Sequence, residues 1–344
     1  MRYNKVYIES IGYQLAPHVV GSDDIEEQLA PLYKKLHIPE GQLEAWTGIE
    51  ERRFWDIQHT MAEHAAVAGK DALERAGVEA SQIEMLIYGG VCRDNLEPAT
   101  ACAVADAVGI PQAAQIFDVS NACLGVLTGV LQVANAIELG QIKAGLVVSC
   151  ESSRQIVEAT IQELLEKSDM DTLRTSIATL TGGSGAVGVV VTHESITKGG
   201  HKLVGGIVKN ASEHHELCRW GPDSGIPATR PMVMETDALG VLKYGVILGA
   251  QTYRAFREEL GWELPDKVIC HQVGSAHQEQ ILKTLEIPAG RDFTTYEYLG
   301  NMGTVALPLT ASIADERGFL QSGDKVGFLG IGSGLNCLML GLEW

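Results

Sequence analysis

The sequence is short of basic residues, because its 344 residues include 26 Lys and Arg against 44 Asp and Glu, a formal net charge of −18. Binding a nucleic acid requires a surplus of Lys and Arg on at least one face, so we expect no nucleic-acid partner. The same balance would repel an acidic carrier protein. A small phosphorylated ligand is less restricted, since a few arginines suffice to bind it.

The sequence also lacks an apolar run long enough to cross a membrane. Its longest uncharged apolar stretch, residues 122–137, contains Thr128, Gln132 and Asn135, and it is shorter than the roughly 20 residues that a spanning helix needs. Because it is apolar on all sides, this stretch is typical of a helix buried inside a protein. Residues 1–10 alternate polar and apolar side chains without a secretory signal, which predicts a first strand.

Paired cysteines are missing too. The seven cysteines are an odd number, are scattered without a CxxC pair and accompany no export signal, which predicts reduced thiols and a cytoplasmic location. No metal-ligand spacing appears either, so we expect no metal site.

What the sequence does contain is a repeated alternation of apolar strands and helices, which favours stacked α/β layers. Each half of the chain has an apolar strand, a polar turn, a helix and a Gly-Ser-Gly loop, so we predict two similar halves, residues 1–195 and 196–344. No residue-level repeat proves duplication. The predicted strands include residues 83–88, 115–119, 144–149, 267–270 and 325–329, and the predicted helices include 60–76 and 236–260.

Cys123 is a candidate nucleophile because it follows the strand 115–119 at the start of the apolar helix. We expect Ser120 or Asn121 to cap this helix and Gly140 to end it. A thiol in the first turn meets unpaired N–H groups and the positive end of the helix dipole, which predicts a lowered pKa. The alternative is a buried packing residue, as free cysteines commonly are.

A nucleophilic cysteine needs a histidine and a further polar group, and His271 and Asn301 both lie at strand-to-turn junctions. Taken singly, they are more often a structural histidine and a turn former. The order Cys, His, Asn also occurs in papain-like proteases, but Cys123 lacks their CGSCW context. The backbone amides of residues 330–334 are candidates to stabilise an oxyanion.

Three further features of the sequence give weaker functional signals. Arg52 and Arg53 lie beside tryptophans and are candidates to bind a nucleotide, or they form a solvated surface turn. Glu97 precedes Pro98 ahead of a helix, where the common role is a solvated first-turn carboxylate. Residues 181–186 resemble a serine-hydrolase elbow, except that alanine replaces the last glycine of GxSxG.

Taken together, five motifs resemble the ketoacyl-ACP synthase III branch of the thiolase superfamily, in order and over essentially the whole chain. The resemblance implies the five-layered αβαβα thiolase fold with two similar halves and an obligate homodimer. The motifs are Thr47-Gly48-Ile49 followed by Arg52-Arg53, Asn121-Ala122-Cys123, His271-Gln272, Gly300-Asn301 and residues 330–334.

The resemblance also implies roles for the candidate residues. Cys123 would be the acylated nucleophile, and His271 with Asn301 would polarise the second thioester carbonyl. The amides of Cys123 and Ser333 would hold the other oxyanion. Arg52 and Arg53 would lie near the phosphates of coenzyme A, whose thioesters would be the substrates, with no other cofactor.

Glu97 is the main departure from ordinary synthase III enzymes, which commonly have a large apolar residue here, contributed across the dimer. A carboxylate resembles the OleA family, the head-to-head condensing enzymes of long-chain olefin biosynthesis. A decarboxylating synthase needs no base, whereas a non-decarboxylative Claisen condensation must remove an α-proton, and a desolvated glutamate is a suitable base.

The sequence therefore predicts an acyltransferase that joins two fatty acyl-CoA thioesters through Cys123 into a 2-alkyl-3-ketoacyl-CoA. Alternatives on the same fold are a malonyl-dependent ketoacyl synthase and acyl transfer to an alcohol or amine. A third is a non-catalytic acyl-binding relative. We expect residues 151–177 and 210–235 to shape the acyl tunnels.

Overall fold

The computed structural model describes residues 1–222 and 232–344, so part of the segment predicted to shape the tunnels, residues 223–231, lies outside the described residues. The strands are β1 (Val6–Leu15), β2 (His18–Gly21), β3 (Glu51–Phe54), β4 (Met85–Gly89), β5 (Gln115–Val119), β6 (Ala144–Glu151), β7 (Gly185–His193), β8 (His201–Asn210), β9 (Cys218–Pro222), β10 (Met232–Thr236), β11 (Lys267–Cys270), β12 (Lys325–Gly332) and β13 (Asn336–Glu343). The α-helices are α1 (Ser22–Gln28), α2 (Ala30–Leu36), α3 (Gln42–Thr47), α4 (Met61–Ala76), α5 (Thr100–Val108), α6 (Gly125–Glu138), α7 (Arg154–Lys167), α8 (Met170–Leu180), α9 (Ala238–Leu260), α10 (Ser275–Leu285), α11 (Tyr296–Leu299) and α12 (Ala306–Glu316).

Nine strands form one sheet in the order β11-β12-β13-β8-β1-β7-β6-β4-β5. Its two parts join where Tyr7 and Ile8 of β1 pair with Lys202 and His201 of β8. Outward from this junction, the first part runs β1, β7, β6, β4 and the second part runs β8, β13, β12, β11. Among the strands of this sheet, each part thus begins with its first strand, followed by its last, its last but one and its second. Strand β5 extends the first part at the edge. This repeated order is the structural form of the two similar halves, and the division at residue 195 falls between β7 and β8.

The layers alternate between helices and sheet. Helix α4 packs on the outer face of the first half, α9 packs on the outer face of the second, and α6 and α12 lie between the two. The inner layer is the largest apolar cluster, which joins α6 and α12 to both halves of the sheet through residues such as Val130, Leu309, Val187 and Leu340. The five-layered αβαβα arrangement is therefore confirmed.

Local signals in the sequence predicted several elements closely. Strands β5 and β11 have the predicted bounds, and Thr60 caps α4 by accepting the Glu63 N–H. Two expectations change. The α-helix α6 begins only at Gly125, because residues 122–124 first make a 3-10 turn. The glycine loop is shorter than predicted, because β12 pairs with β13 as far as Gly332. No helix within residues 1–222 and 232–344 is long and apolar enough to span a membrane.

A close approach of two backbones fixes the start of α6 against β4. A Cβ on Gly125 would lie 2.9 Å from the carbonyl carbon of Gly89, and a Cβ on Gly89 would lie 2.6 Å from the Gly125 carbonyl oxygen. Both distances are too short for a side chain, so the turn that carries Cys123 depends on this pair of glycines.

We expect Gly125→Ala to lower the free energy of unfolding by about 1–3 kcal/mol, because the added methyl group must displace packed backbone. Urea unfolding measures the change. The control is Gly290→Ala, since a Cβ there meets no atom within 4 Å. Equal stability of the two variants would show that the glycine contact is not needed.

Candidate active site

A cavity of about 370 Å³ brings together four of the predicted site residues. Cys123 comes from the first half of the chain, and His271, Asn301 and Ser333 come from the second. The site therefore lies where the halves meet, at the end of the central helix layer.

A strained turn presents the Cys123 thiol to this cavity. Ala122 has a φ of +46°, a left-handed conformation that is uncommon for a residue with a side chain and is typical of functional turns. The turn is held by Asn121, whose Nδ2 donates to Thr128 Oγ1 at 2.9 Å and whose Oδ1 accepts from Asn336 Nδ2 at 3.0 Å. Gly332 lies beside the Cys123 amide, since a Cβ there would be 3.3 Å from that nitrogen.

The predicted low pKa of Cys123 is wrong. Burial, with smaller contributions from the neighbouring Cys218 and Glu151, raises the pKa of this thiol to about 12. The free-energy cost of removing the thiolate from water exceeds the stabilisation that the N–H groups of the turn provide, because α6 itself starts two residues later. The thiol is protonated at rest and must lose its proton during the reaction.

His271 follows β11 and is 4% exposed. Burial lowers its pKa to about 3, with a smaller contribution from His277. The ring is therefore neutral at physiological pH, with one nitrogen able to donate and the other able to accept. In the described part of the chain, Nδ1 has no hydrogen-bond partner.

Asn301 is held in a turn between α11 and α12. Its N–H donates to the Thr181 carbonyl at 2.9 Å, and its own carbonyl accepts from the Gly183 N–H at 2.9 Å. The side-chain Oδ1 accepts from the Gly303 N–H at 3.0 Å, an arrangement that leaves the Nδ2 group to donate. His271 and Asn301 can thus offer two donors to one substrate oxygen.

The segment that resembled a hydrolase elbow supports this turn. Thr181 and Gly183 hold the Asn301 backbone, and Ser184 is fully buried with its Oγ accepting from the Ser153 N–H at 3.0 Å. Ser184 is a structural residue.

The predicted contact of Arg52 with coenzyme A is wrong. This side chain is 0% exposed, and it donates to Ser22 Oγ at 3.0 Å and to the Leu180 carbonyl at 3.4 Å. Burial lowers its pKa to about 10. Arg53 is half-buried, donates to the Ala16 carbonyl at 3.3 Å and does not line the cavity. Alternation along β3 explains the difference, because Arg52 and Phe54 point inward together.

Glu97 is exposed and does not line the cavity of its own chain. It lies in a loop held on both sides. The Asp94 carboxylate accepts from the N–H groups of Met61 and Ala62, and that of Asp118 accepts from those of Thr100 and Ala101, all at 2.6–3.0 Å. A role for Glu97 in catalysis therefore needs a second copy of the chain.

Sequence reasoning did not single out two titratable residues that line the cavity, Glu151 and His277. Glu151 ends the apolar strand β6, and its position at a strand terminus was an available signal. The cavity wall also receives residues from both segments expected to shape the tunnels, namely Ile156 of α7, Cys218 and Trp220 of β9 and Met234 of β10.

The buried neutral histidine makes stability depend on pH. The pKa of His271 is about 3 in the folded protein and 6.5 for the free side chain. Its contribution to the free energy of unfolding is therefore complete above pH 6.5 and declines as the pH falls toward 3. When the pH falls from 7 to 5, we expect the free energy of unfolding of the unsubstituted protein to fall by about 1–2 kcal/mol more than that of His271→Gln.

Urea midpoints at the two pH values measure this difference. The matched control is His215→Gln, because the ring of His215 is 68% exposed. Parallel losses in all three proteins would contradict a buried neutral His271.

Each half of the chain matches a known family model. The family model of the thiolase N-terminal domain matches residues 56–179, and that of the 3-oxoacyl-[acyl-carrier-protein] synthase III C-terminal domain matches residues 257–344. An acyl-CoA:acyl-CoA alkyltransferase of Shewanella oneidensis is 50% identical, and one of Xanthomonas campestris is 32% identical. Each alignment covers 100% of both proteins.

A solved structure shows the same fold. A cysteine-to-serine variant of Xanthomonas campestris OleA, with bound lauric acid and lauroyl-CoA, matches with a TM-score of 0.93 at 32% identity. The match covers 99% of this chain and 100% of that one.

Proposed function

The chain belongs to the OleA-type acyl-CoA:acyl-CoA alkyltransferases of the thiolase superfamily and is an acyltransferase, and we propose which transfer it performs. It joins two fatty acyl-CoA thioesters by a non-decarboxylative Claisen condensation. The intermediate is an acyl group on Cys123, and the product is a 2-alkyl-3-ketoacyl-CoA. The observation that carries this proposal is the convergence of Cys123, His271 and Asn301 on one cavity, together with Glu97 on an outward loop.

The first half-reaction loads the enzyme. The Cys123 thiol gives its proton to His271 and attacks the thioester carbonyl, whose oxyanion accepts from the amides of Cys123 and Ser333. The carbon–sulfur bond to coenzyme A breaks, and the leaving thiolate takes the proton from His271. The depressed pKa of His271 favours prompt return of that proton.

The second half-reaction forms the carbon–carbon bond. Glu97 removes an α-proton from a second acyl-CoA, while His271 and Asn301 donate to the thioester oxygen of the enolate. The α-carbon attacks the acyl group on Cys123, the bond to the Cys123 sulfur breaks, and the proton that Glu97 removed returns to the Cys123 thiolate. The product keeps the coenzyme A of the second substrate.

A homodimer supplies Glu97 to this site. Strand β5, which leads into the Cys123 turn, is the outermost strand of the sheet and carries the exposed Ile116. Beside Glu97, Leu96 is 75% exposed. An open strand edge with apolar side chains is a surface for pairing with another chain, and a second copy here would place the two Glu97 loops near the partner sites.

Other parts of the proposal rest on the sequence. Coenzyme A thioesters are the substrates and no further cofactor takes part. The cytoplasmic location rests on the seven cysteines, all of which are free thiols.

We expect Glu97→Gln to acquire an acyl group on Cys123 but to condense at least about 100-fold more slowly, because the amide cannot accept the α-proton. Intact-protein mass spectrometry follows loading, and product analysis follows condensation. The control is Asp106→Asn on the exposed side of α5. Condensation by Glu97→Gln at a near-normal rate would instead favour a decarboxylating enzyme.

The choice of donor separates the remaining alternatives. We expect a saturated long-chain acyl-CoA alone to give the ketone or ketoacid products of condensation, because the α-carbon of the second substrate is the nucleophile. A need for a malonyl thioester would indicate a ketoacyl synthase, and esters or amides formed only with an added alcohol or amine would indicate simple acyl transfer. Failure of any acyl-CoA to load Cys123 would support a non-catalytic relative.

A further inference from the structure

Glu151 is the one acidic residue among the described residues that line the cavity. It ends β6, is 3% exposed, and is near enough to Cys123 to raise the pKa of that thiol. The proposed chemistry gives it no role. A buried carboxylate is costly unless hydrogen bonds compensate it, so its partners are informative.

The partners of Glu151 are in the loop that carries Glu97. Oε1 of Glu151 accepts from the Val91 N–H at 2.9 Å, and Oε2 accepts from the Cys92 N–H at 3.1 Å. The Tyr88 hydroxyl donates to the Cys92 carbonyl at 2.6 Å. The start of the loop is thus tied to the end of β6 by both oxygens of one carboxylate.

The same side chain also reaches the turn that orients Asn301. A Cβ on Gly303 would lie 3.5 Å from the carboxyl carbon of Glu151, and the Gly303 N–H is the donor that fixes the Asn301 Oδ1. Asp94 and Asp118, the other carboxylates that hold the loop, do not line the cavity. Of these three carboxylates, only Glu151 contacts both the loop and the cavity of its own chain.

We propose that Glu151 is a positioning residue for condensation that acts in trans. By holding Val91 and Cys92, it sets where Glu97 of the same chain enters the active site of the partner subunit. This inference rests on the proposed function, in which Glu97 is the base and crosses the dimer.

Glu151→Gln should slow condensation and make the Cys123 thiol easier to deprotonate. The amide keeps one acceptor but presents a donor to the second N–H, so the loop loses a bond and condensation should fall about tenfold or more. The lost negative charge should shift alkylation of Cys123 by iodoacetamide to lower pH, because Glu151 raises the pKa of the thiol. The titratable groups around that thiol are Glu151, Cys218, His271 and His277.

Two heterodimers, each purified through two different tags, test the action in trans. In the first, a chain with both Cys123→Ala and Glu151→Gln is paired with an unsubstituted chain. The one remaining Cys123 then receives Glu97 from the altered loop. In the second, a Cys123→Ala chain is paired with a Glu151→Gln chain. The one remaining Cys123 then receives Glu97 from an intact loop. The reference is Cys123→Ala paired with an unsubstituted chain.

We expect the first heterodimer to condense at least tenfold more slowly than the reference, and the second to stay within about threefold of it. Equal rates in the two heterodimers, or a loss only in the second, would overturn the inference. The charge control is Glu166→Gln, an exposed carboxylate of α7.

A second variant keeps the inference testable if Glu151→Gln does not fold. Asp94→Asn loosens the same loop from outside the cavity, so it should slow condensation without moving the pH of Cys123 alkylation. An unchanged condensation rate would count against loop positioning. The two proposals fail separately: an active Glu97→Gln removes the proposed function, whereas an inactive Glu97→Gln with equal heterodimers removes only the role of Glu151.

Discussion

Burial of the titratable groups around the cavity is the constraint on which the site depends. The same burial raises the pKa of Cys123 to about 12, raises that of Glu151 and lowers that of His271 to about 3. Each shift favours the uncharged form of its group. A mostly apolar lining suits a thioester with an apolar chain, and a low local dielectric strengthens each hydrogen bond offered to an oxyanion. Cys123 and His271 are therefore both neutral before the first proton transfer.

The fold creates this site by bringing two similar halves together. Helices α6 and α12 share one apolar cluster between the halves of the sheet, and the turns at their N-terminal ends carry Cys123 and Asn301. The Thr304 hydroxyl joins the two turns by accepting the Val126 N–H at 2.8 Å. Neither half alone encloses the cavity, so catalysis depends on packing that is distant in sequence.

Local patterns in the sequence were sufficient to place the reacting residues on their elements. Cys123 follows an apolar strand, and His271 follows another. Arg52 was misplaced because its burial depends on Ser22 and Leu180, which are remote in sequence. The pKa of Cys123 was misjudged for the same reason, since a helix start is visible in a sequence but desolvation is not. The strand-end position of Glu151 is visible in the sequence, but its role becomes clear only when its contacts with the loop and the cavity are known.

The most direct test of the account uses an acyl-CoA deuterated at the α-carbon in a single-turnover experiment. If Glu97 removes the α-proton, deuteration leaves the loading of Cys123 unchanged and slows carbon–carbon bond formation, with no malonyl thioester present. A product that forms only when a malonyl thioester is added, at a rate unaffected by deuteration, would contradict it.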